Sequence, residues 1–141
     1  MVPRPLLPLL AFLVFFNLAD AASSTGRAGN SDKPQAPAIV QKTITVEVLT
    51  PDGAWGLQIE EIRRVGSELW VFAKVERPAG AIGALMRSAA SDEVSERLPD
   101  LKTRIYVVGK TWTWANEEQV TWLSKNDAFE RRRQGERLWR R

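Results

Sequence analysis

The sequence predicts a mainly β domain: an antiparallel sheet, sandwich- or barrel-like, with a short C-terminal helix. Three observations carry that expectation. Thr43-Ile-Thr-Val-Glu-Val-Leu49 alternates apolar and polar residues, the alternation returns in Trp55-Gly-Leu-Gln-Ile59 and Leu69-Trp-Val-Phe-Ala-Lys-Val-Glu76, and turn-forming residues separate these runs.

The first strand begins near Gln41 and places Ile44, Val46 and Val48 on one face. Thr50-Pro-Asp-Gly53 then supplies a preset φ at Pro51 and a permissive Gly53, the chemistry of a tight turn. In the second strand Trp55, Leu57 and Ile59 share a face, but Glu60-Glu61 shifts the phase and puts Ile62 on the opposite parity, as a β-bulge does. Val65-Gly-Ser-Glu68 reads as a hairpin connection. The third strand has apolar residues at every odd position and opens its even positions with Trp70 and Phe72, so both faces are expected to be covered at its start. Residues 77–87 are dominated by small side chains and read as a long loop or a loop with one helical turn. A further strand is expected from Glu93 to Leu98, and Leu101 to Trp114 reads as one long strand or two joined at Gly109. Ser124-Lys-Asn-Asp127 resembles a capping box and starts a short helix, after which Gly135 interrupts the run and a frayed basic end is expected.

Composition sets the address. Met1-Val-Pro-Arg4 leads into an apolar run from Leu6 to Leu18 that closes on Ala19-Asp20-Ala21, the pattern of an export signal cleaved after Ala21. The expected organisation is a signal peptide over residues 1–21, a flexible linker over 22–40, a β domain over 41–124, and a basic helix and tail over 125–141. Export implies a periplasmic or extracellular location in a bacterium and a chain that is not an integral membrane protein after cleavage. Of 141 residues none is Cys or His, which removes disulfides, Cys and Ser-His-Asp nucleophiles and the commonest transition-metal ligands. No metal and no cofactor are expected. Residues 41–124 carry 10 basic and 12 acidic side chains, whereas 125–141 carry 7 basic and 3 acidic. The net +3 therefore belongs to the tail, which suits anionic envelope glycans or lipids, or acidic proteins, better than nucleic acid.

Three groups of residues are candidates for binding. Ile82, Leu85 and Met86 are the only bulky apolar residues of the 77–87 loop, and suit either contact with a protein partner or closure of the core. Trp112 and Trp114, two apart in an extended strand, project from one face roughly 6.6 Å apart. They suit stacking on sugar rings or a proline-rich peptide, or covering the sheet. Arg131, Arg132, Arg133 and Arg137, with Arg140 and Arg141, could bind phosphate or carboxylate groups bidentately, or simply form a solvated helix end. Gly109-Lys-Thr111 is not a phosphate loop, since Arg104 stands where its first glycine belongs. Adjacent acids at Glu60-Glu61 and Glu117-Glu118 point to opposite strand faces and cannot flank one glycosidic bond.

The series Trp55-Gly-Leu-Gln-Ile-Glu-Glu-Ile62, Gly66, Leu69-Trp-Val71, Glu76-Arg-Pro78 and Arg104-Ile-Tyr-Val-Val108 resembles the C-terminal domain of bacterial PrcB-type protease-complex subunits. It departs from that pattern in having no Pro before Tyr106 and in the ending Gly109-Lys-Thr-Trp-Thr-Trp114. The resemblance implies a small exported β-rich domain that is an accessory or stability partner of proteases. The functional expectation is a non-enzymatic domain that binds another envelope or secreted protein, with binding of an anionic glycan or lipid as the alternative.

Overall fold

The structure is a computed structural model that describes residues 33–141. The expected signal peptide and the first part of the expected linker lie outside the described residues. Residues 33–38 have no regular structure, and ordered pairing starts at β1 (Ile39–Thr50), two residues inside the expected linker. There follow β2 (Gly56–Val65), β3 (Glu68–Glu76), β4 (Ser88–Pro99), β5 (Lys102–Val108), β6 (Thr121–Leu123), α1 (Lys125–Arg131) and β7 (Glu136–Arg140).

The strands form two sheets. β1 and β4 make a two-stranded antiparallel ribbon, paired along its whole length from Ile39 opposite Pro99 to Thr50 opposite Ser88. The other five form a sheet in the order β6-β5-β3-β2-β7. One core joins them: Ile44, Val46 and Val48 of β1 and Ala90, Val94 and Leu98 of β4 pack on Ile59 and Ile62 of β2, Leu69, Val71, Ala73 and Val75 of β3, and Val107 of β5. The opposite face of the sheet carries a second cluster of Trp70, Phe72 and Tyr106 under α1. The central strand β3 is therefore covered on both faces, as its apolar even positions require. The phase slip at Glu60-Glu61 is a register shift between Ile59 and Glu61, which leaves Ile59 and Ile62 both in the core.

Three features differ from expectation. The sheet is mixed rather than wholly antiparallel, because β5 runs parallel to β3 and β6 parallel to β5. The chain leaves the sheet after β3, crosses through β4 in the ribbon and returns in its former direction, and side-chain alternation carries no information on strand direction. β4 begins at Ser88 rather than Glu93, since the small residues Ser88 to Ser91 extend only because β1 is there to pair with them. The basic end is not frayed. After the expected cap, in which Ser124 Oγ accepts the Asp127 N–H at 3.1 Å, the helix stops and Gly135 at φ +64° turns the chain into β7, which pairs with β2 at Glu61–Arg64. A Cβ at Gly135 would lie 2.1 Å from the Arg64 carbonyl oxygen.

The ribbon is joined to the sheet by side chains. At one seam Asp92 of β4 accepts the Ile59 N–H of β2 at 2.8 Å, and the Arg141 guanidinium lies 3.0 Å from the same carboxylate. Burial would raise the Asp92 carboxyl, but the N–H groups of Ile59 and Glu93 and the Arg141 side chain outweigh it and hold the group below its ordinary value. At the other seam Asn116 Nδ2 donates to the Leu49 carbonyl at 3.0 Å and the Leu49 N–H donates to Glu118, while Lys42 Nζ donates to the Leu101 carbonyl at 2.8 Å.

Two tests follow from this geometry. Asp92→Ala leaves the Ile59 N–H without its acceptor and should cost about 1–3 kcal/mol in denaturant unfolding at neutral pH. Because the folded Asp92 carboxyl lies below its unfolded value, its contribution is complete above the unfolded value and is lost as pH falls through the folded one, so the gap between wild type and variant should close in acid. A gap independent of pH would mean that the charge contributes nothing. Gly135→Ala meets both the positive φ and the Arg64 carbonyl, and should cost at least ~1–3 kcal/mol with loss of amide protection in β7.

Candidate functional site

The loop after β3 is held firmly along its backbone yet turns its largest side chains outward. The Ala81 N–H donates to the Pro78 carbonyl at 3.1 Å and the Met86 N–H to that of Ala84 at 2.8 Å, two tight local turns. The Gly53 N–H reaches the Ala84 carbonyl, and Gly83 lies so close to the 51–54 turn that a Cβ there would be 2.4 Å from the Ala54 nitrogen. Asp52 completes the anchorage, accepting the Ala54 N–H at 2.8 Å and Arg77 Nε at 3.2 Å. From this base Ile82 is 98% exposed, Leu85 97% and Met86 66%. All three sequence candidates of this loop are thus on the surface, and none closes the core.

Arg87 carries the loop into an adjoining groove. Its guanidinium lies 4.4 Å from the centre of the Trp114 ring, and the groove, about 460 Å³, is lined by Glu47, Leu49, Arg87, Trp114, Asn116 and Glu118 among others. Behind it stands a cluster of four tryptophans. Trp112 meets Trp55 edge-on at 5.2 Å, Trp122 edge-on at 5.5 Å and Trp114 in a stack at 5.4 Å, and its indole N–H donates to Asn116 at 2.9 Å. Lys110 sits among these rings, 5.3 Å from the centre of Trp122, and donates to the Trp114 carbonyl at 2.7 Å.

The expected strand through Trp112 and Trp114 is therefore corrected. β5 stops at Val108, Gly109 takes φ +101°, and residues 109–120 form a connection before β6. The two rings stack on each other instead of standing side by side on a strand face. Trp112 packs against the core and Trp114 is occupied by Trp112 and Arg87, so no pair of open, coplanar rings is presented. Trp55 and Trp122 lie at the core edge and Trp70 is buried, as their positions suggest.

The four candidate arginines do not converge. Arg131 lies over Tyr106 and Trp70, 4.9 and 5.6 Å from the ring centres, and donates to the Tyr106 hydroxyl at 3.2 Å. Arg132 covers Phe72 at 5.2 Å and pairs with Glu60. These two cations form the lid of the second apolar cluster. Arg133 is exposed beside Glu130, and Arg137 is exposed on β7. Glu61 in turn pairs with Arg63, so the adjacent acids Glu60 and Glu61 serve different ion pairs. Among the described residues no three His, Cys, Asp or Glu side chains gather as a metal site, and no helix is long and apolar enough to cross a membrane.

The residues that sequence reasoning missed are Asn116, Glu118, Lys110 and Arg87. Each acts through a contact to a distant strand or to a ring placed by the fold, and nothing in local spacing marks them. No family model matches the chain, and neither the curated proteins nor the solved structures contain a match.

The Trp cluster gives a direct test of role. Trp112→Ala should destabilise the domain by about 3–5 kcal/mol in chemical denaturation, as truncation of a packed aromatic does, whereas Trp114→Ala should cost clearly less. Equal and negligible losses would mean that both rings are free surface groups.

Proposed function

We propose that this chain is an exported, non-enzymatic β domain that binds another envelope or secreted protein through the 77–87 loop. One observation carries the reading: Ile82 and Leu85 are almost wholly exposed on a loop whose backbone is pinned to the neighbouring turn. Burying one such side chain is worth about 1.5–3 kcal/mol, a gain forgone in the isolated domain and available to an interface. A pre-ordered loop also loses little entropy on binding. The absence of His and Cys from the sequence supports a recognising role over a chemical one. The likeness of residues 55–110 to PrcB-type subunits rests on sequence spacing, and makes a protease or its complex the first class of partner to try. The anionic-surface alternative is less favoured, because Arg131 and Arg132 are spent inside the domain.

The test is a paired capture from cell-envelope extract by the wild-type chain and by an Ile82→Asp/Leu85→Asp variant. Wild type should retain a defined protein saturably. The variant should retain at least tenfold less while its unfolding free energy stays within about 0.5 kcal/mol, as expected for exposed positions. Equal capture by both would refute the loop as the binding surface.

A further inference from the structure

The ribbon strand β1 has an edge that the fold leaves open. Successive residues of a strand direct their backbone groups to opposite edges. The Asp100 N–H donates to the Ala38 carbonyl across the ribbon, so even-numbered residues of β1 bond toward β4. Leu49, of odd number, turns both its N–H and its carbonyl outward, to Glu118 and Asn116. By the same alternation Gln41, Thr43, Thr45 and Glu47 point their N–H and carbonyl groups outward, and none of these groups has a hydrogen-bond partner among the described residues. The open stretch ends at the Leu49 clip.

Open edges are normally blunted by charge, proline or bulges. The outer edge of β5, unpaired over residues 102–105, carries Lys102 and Arg104, and the outer edge of β4 is met by Asp92, Ile59 and Arg141. β1 has no proline and no bulge, and among the residues that turn their backbone groups outward only Glu47 is charged. The strand is unbroken over 12 residues, without Pro or Gly, and the two central outward residues are the β-branched Thr43 and Thr45.

We infer that β1 pairs antiparallel with β1 of a second copy of this chain about a two-fold axis beside Ile44. Thr43 then lies opposite Thr45 of the second copy, and Gln41 opposite Glu47. This register matches Gln41, Thr43, Thr45 and Glu47 with one another; Ile39 falls opposite Leu49, whose outward groups are already held by Glu118 and Asn116, so the pairing ends at Gln41 and Glu47. It also places no like charges opposite each other, whereas a register centred on Glu47 would set two carboxylates face to face. Each of the matched pairs exchanges two backbone hydrogen bonds, so the edge is complementary to itself.

Sedimentation equilibrium of the purified chain across a wide concentration range, with amide exchange followed at Thr43, Thr45 and Glu47, tests the pairing. A monomer–dimer equilibrium is expected, with these three amides gaining protection as the dimer forms. Thr45→Pro removes one outward N–H and leaves the β4 ladder untouched, and Thr43→Lys adds charge to the seam. Each should weaken dimerisation at least tenfold. Should Thr45→Pro fail to fold by circular dichroism, Thr43→Lys alone decides. Leu85→Asp should leave the dimer unchanged, which separates this edge from the partner-binding loop. A monomer at every concentration with fast exchange at the three amides would overturn the inference, as would a dimer indifferent to the Thr43 substitution.

Discussion

The structure depends on a two-stranded ribbon that is stacked on a sheet without being hydrogen-bonded into it strand to strand. A β ribbon and a five-stranded sheet share one apolar core, yet no backbone ladder joins them, and the polar edges that meet at the seams still need partners. Side chains supply them. Asp92 takes the place of a strand residue at the β4–β2 seam, and Asn116 with Glu118 does so at the β1 seam, offering Leu49 one donor and one acceptor as a neighbouring strand would. Much else follows from these clips. The 109–120 connection must be long enough to bring Asn116 and Glu118 to β1, and the C-terminus must dock so that Arg141 can reach Asp92.

The second face of the sheet solves a different problem. Trp70, Phe72 and Tyr106 need cover, and α1 is only seven residues long, with Ala128 its one buried side chain. The helix covers the aromatics with arginines. The guanidinium groups of Arg131 and Arg132 lie within about 6 Å of the ring centres, and each keeps a polar contact, Arg131 with the Tyr106 hydroxyl and Arg132 with Glu60. The concentration of arginine near the chain end, which by composition alone suggests an anion-binding tail, is thus in part a packing device. Arg63 plays a comparable part on β2, joining the buried Glu61 to the carbonyls of Gln134 and Gly135 and so fixing the turn that starts β7.

How legible this was in the sequence follows from the range of the interactions involved. Thr43 to Leu49 and Leu69 to Glu76 could be read as strands because each carries its own burial pattern. Ile59 and Ile62, on opposite parity, revealed the bulge because a core-facing residue on the wrong phase has few other remedies. Ser124 and Asp127 disclosed the helix start because a cap is local. Ser88 to Ser91 and β7 were hidden, since small or charged residues there become strand only when β1 and β2 offer an edge. The direction of β5 was hidden as well. At the site, Ile82, Leu85 and Met86 stood out as isolated bulky residues among small ones, but their exposure depends on how Gly83 seats the loop on Ala54. Trp112 and Trp114 misled because period-two spacing has the appearance of a strand in any extended segment.

The exposure of Ile82 and Leu85 gains its meaning from this anchoring. Scattered surface leucines are ordinary, and a mobile loop could fold such residues inward part of the time. Here the loop backbone is bonded to the neighbouring turn through Gly53 and packed on it at Gly83, and the side chains project outward from that base. The small residues around them, Ala79, Gly80, Ala81 and Ala84, lower the loop's profile and leave the three large groups as its prominences. A loop whose only task was to connect β3 to β4 would gain solubility and lose nothing from polar residues at these positions. Leaving them uncovered is a cost that the proposed interface would recover, and the groove beginning at Arg87 would give it a concave neighbour.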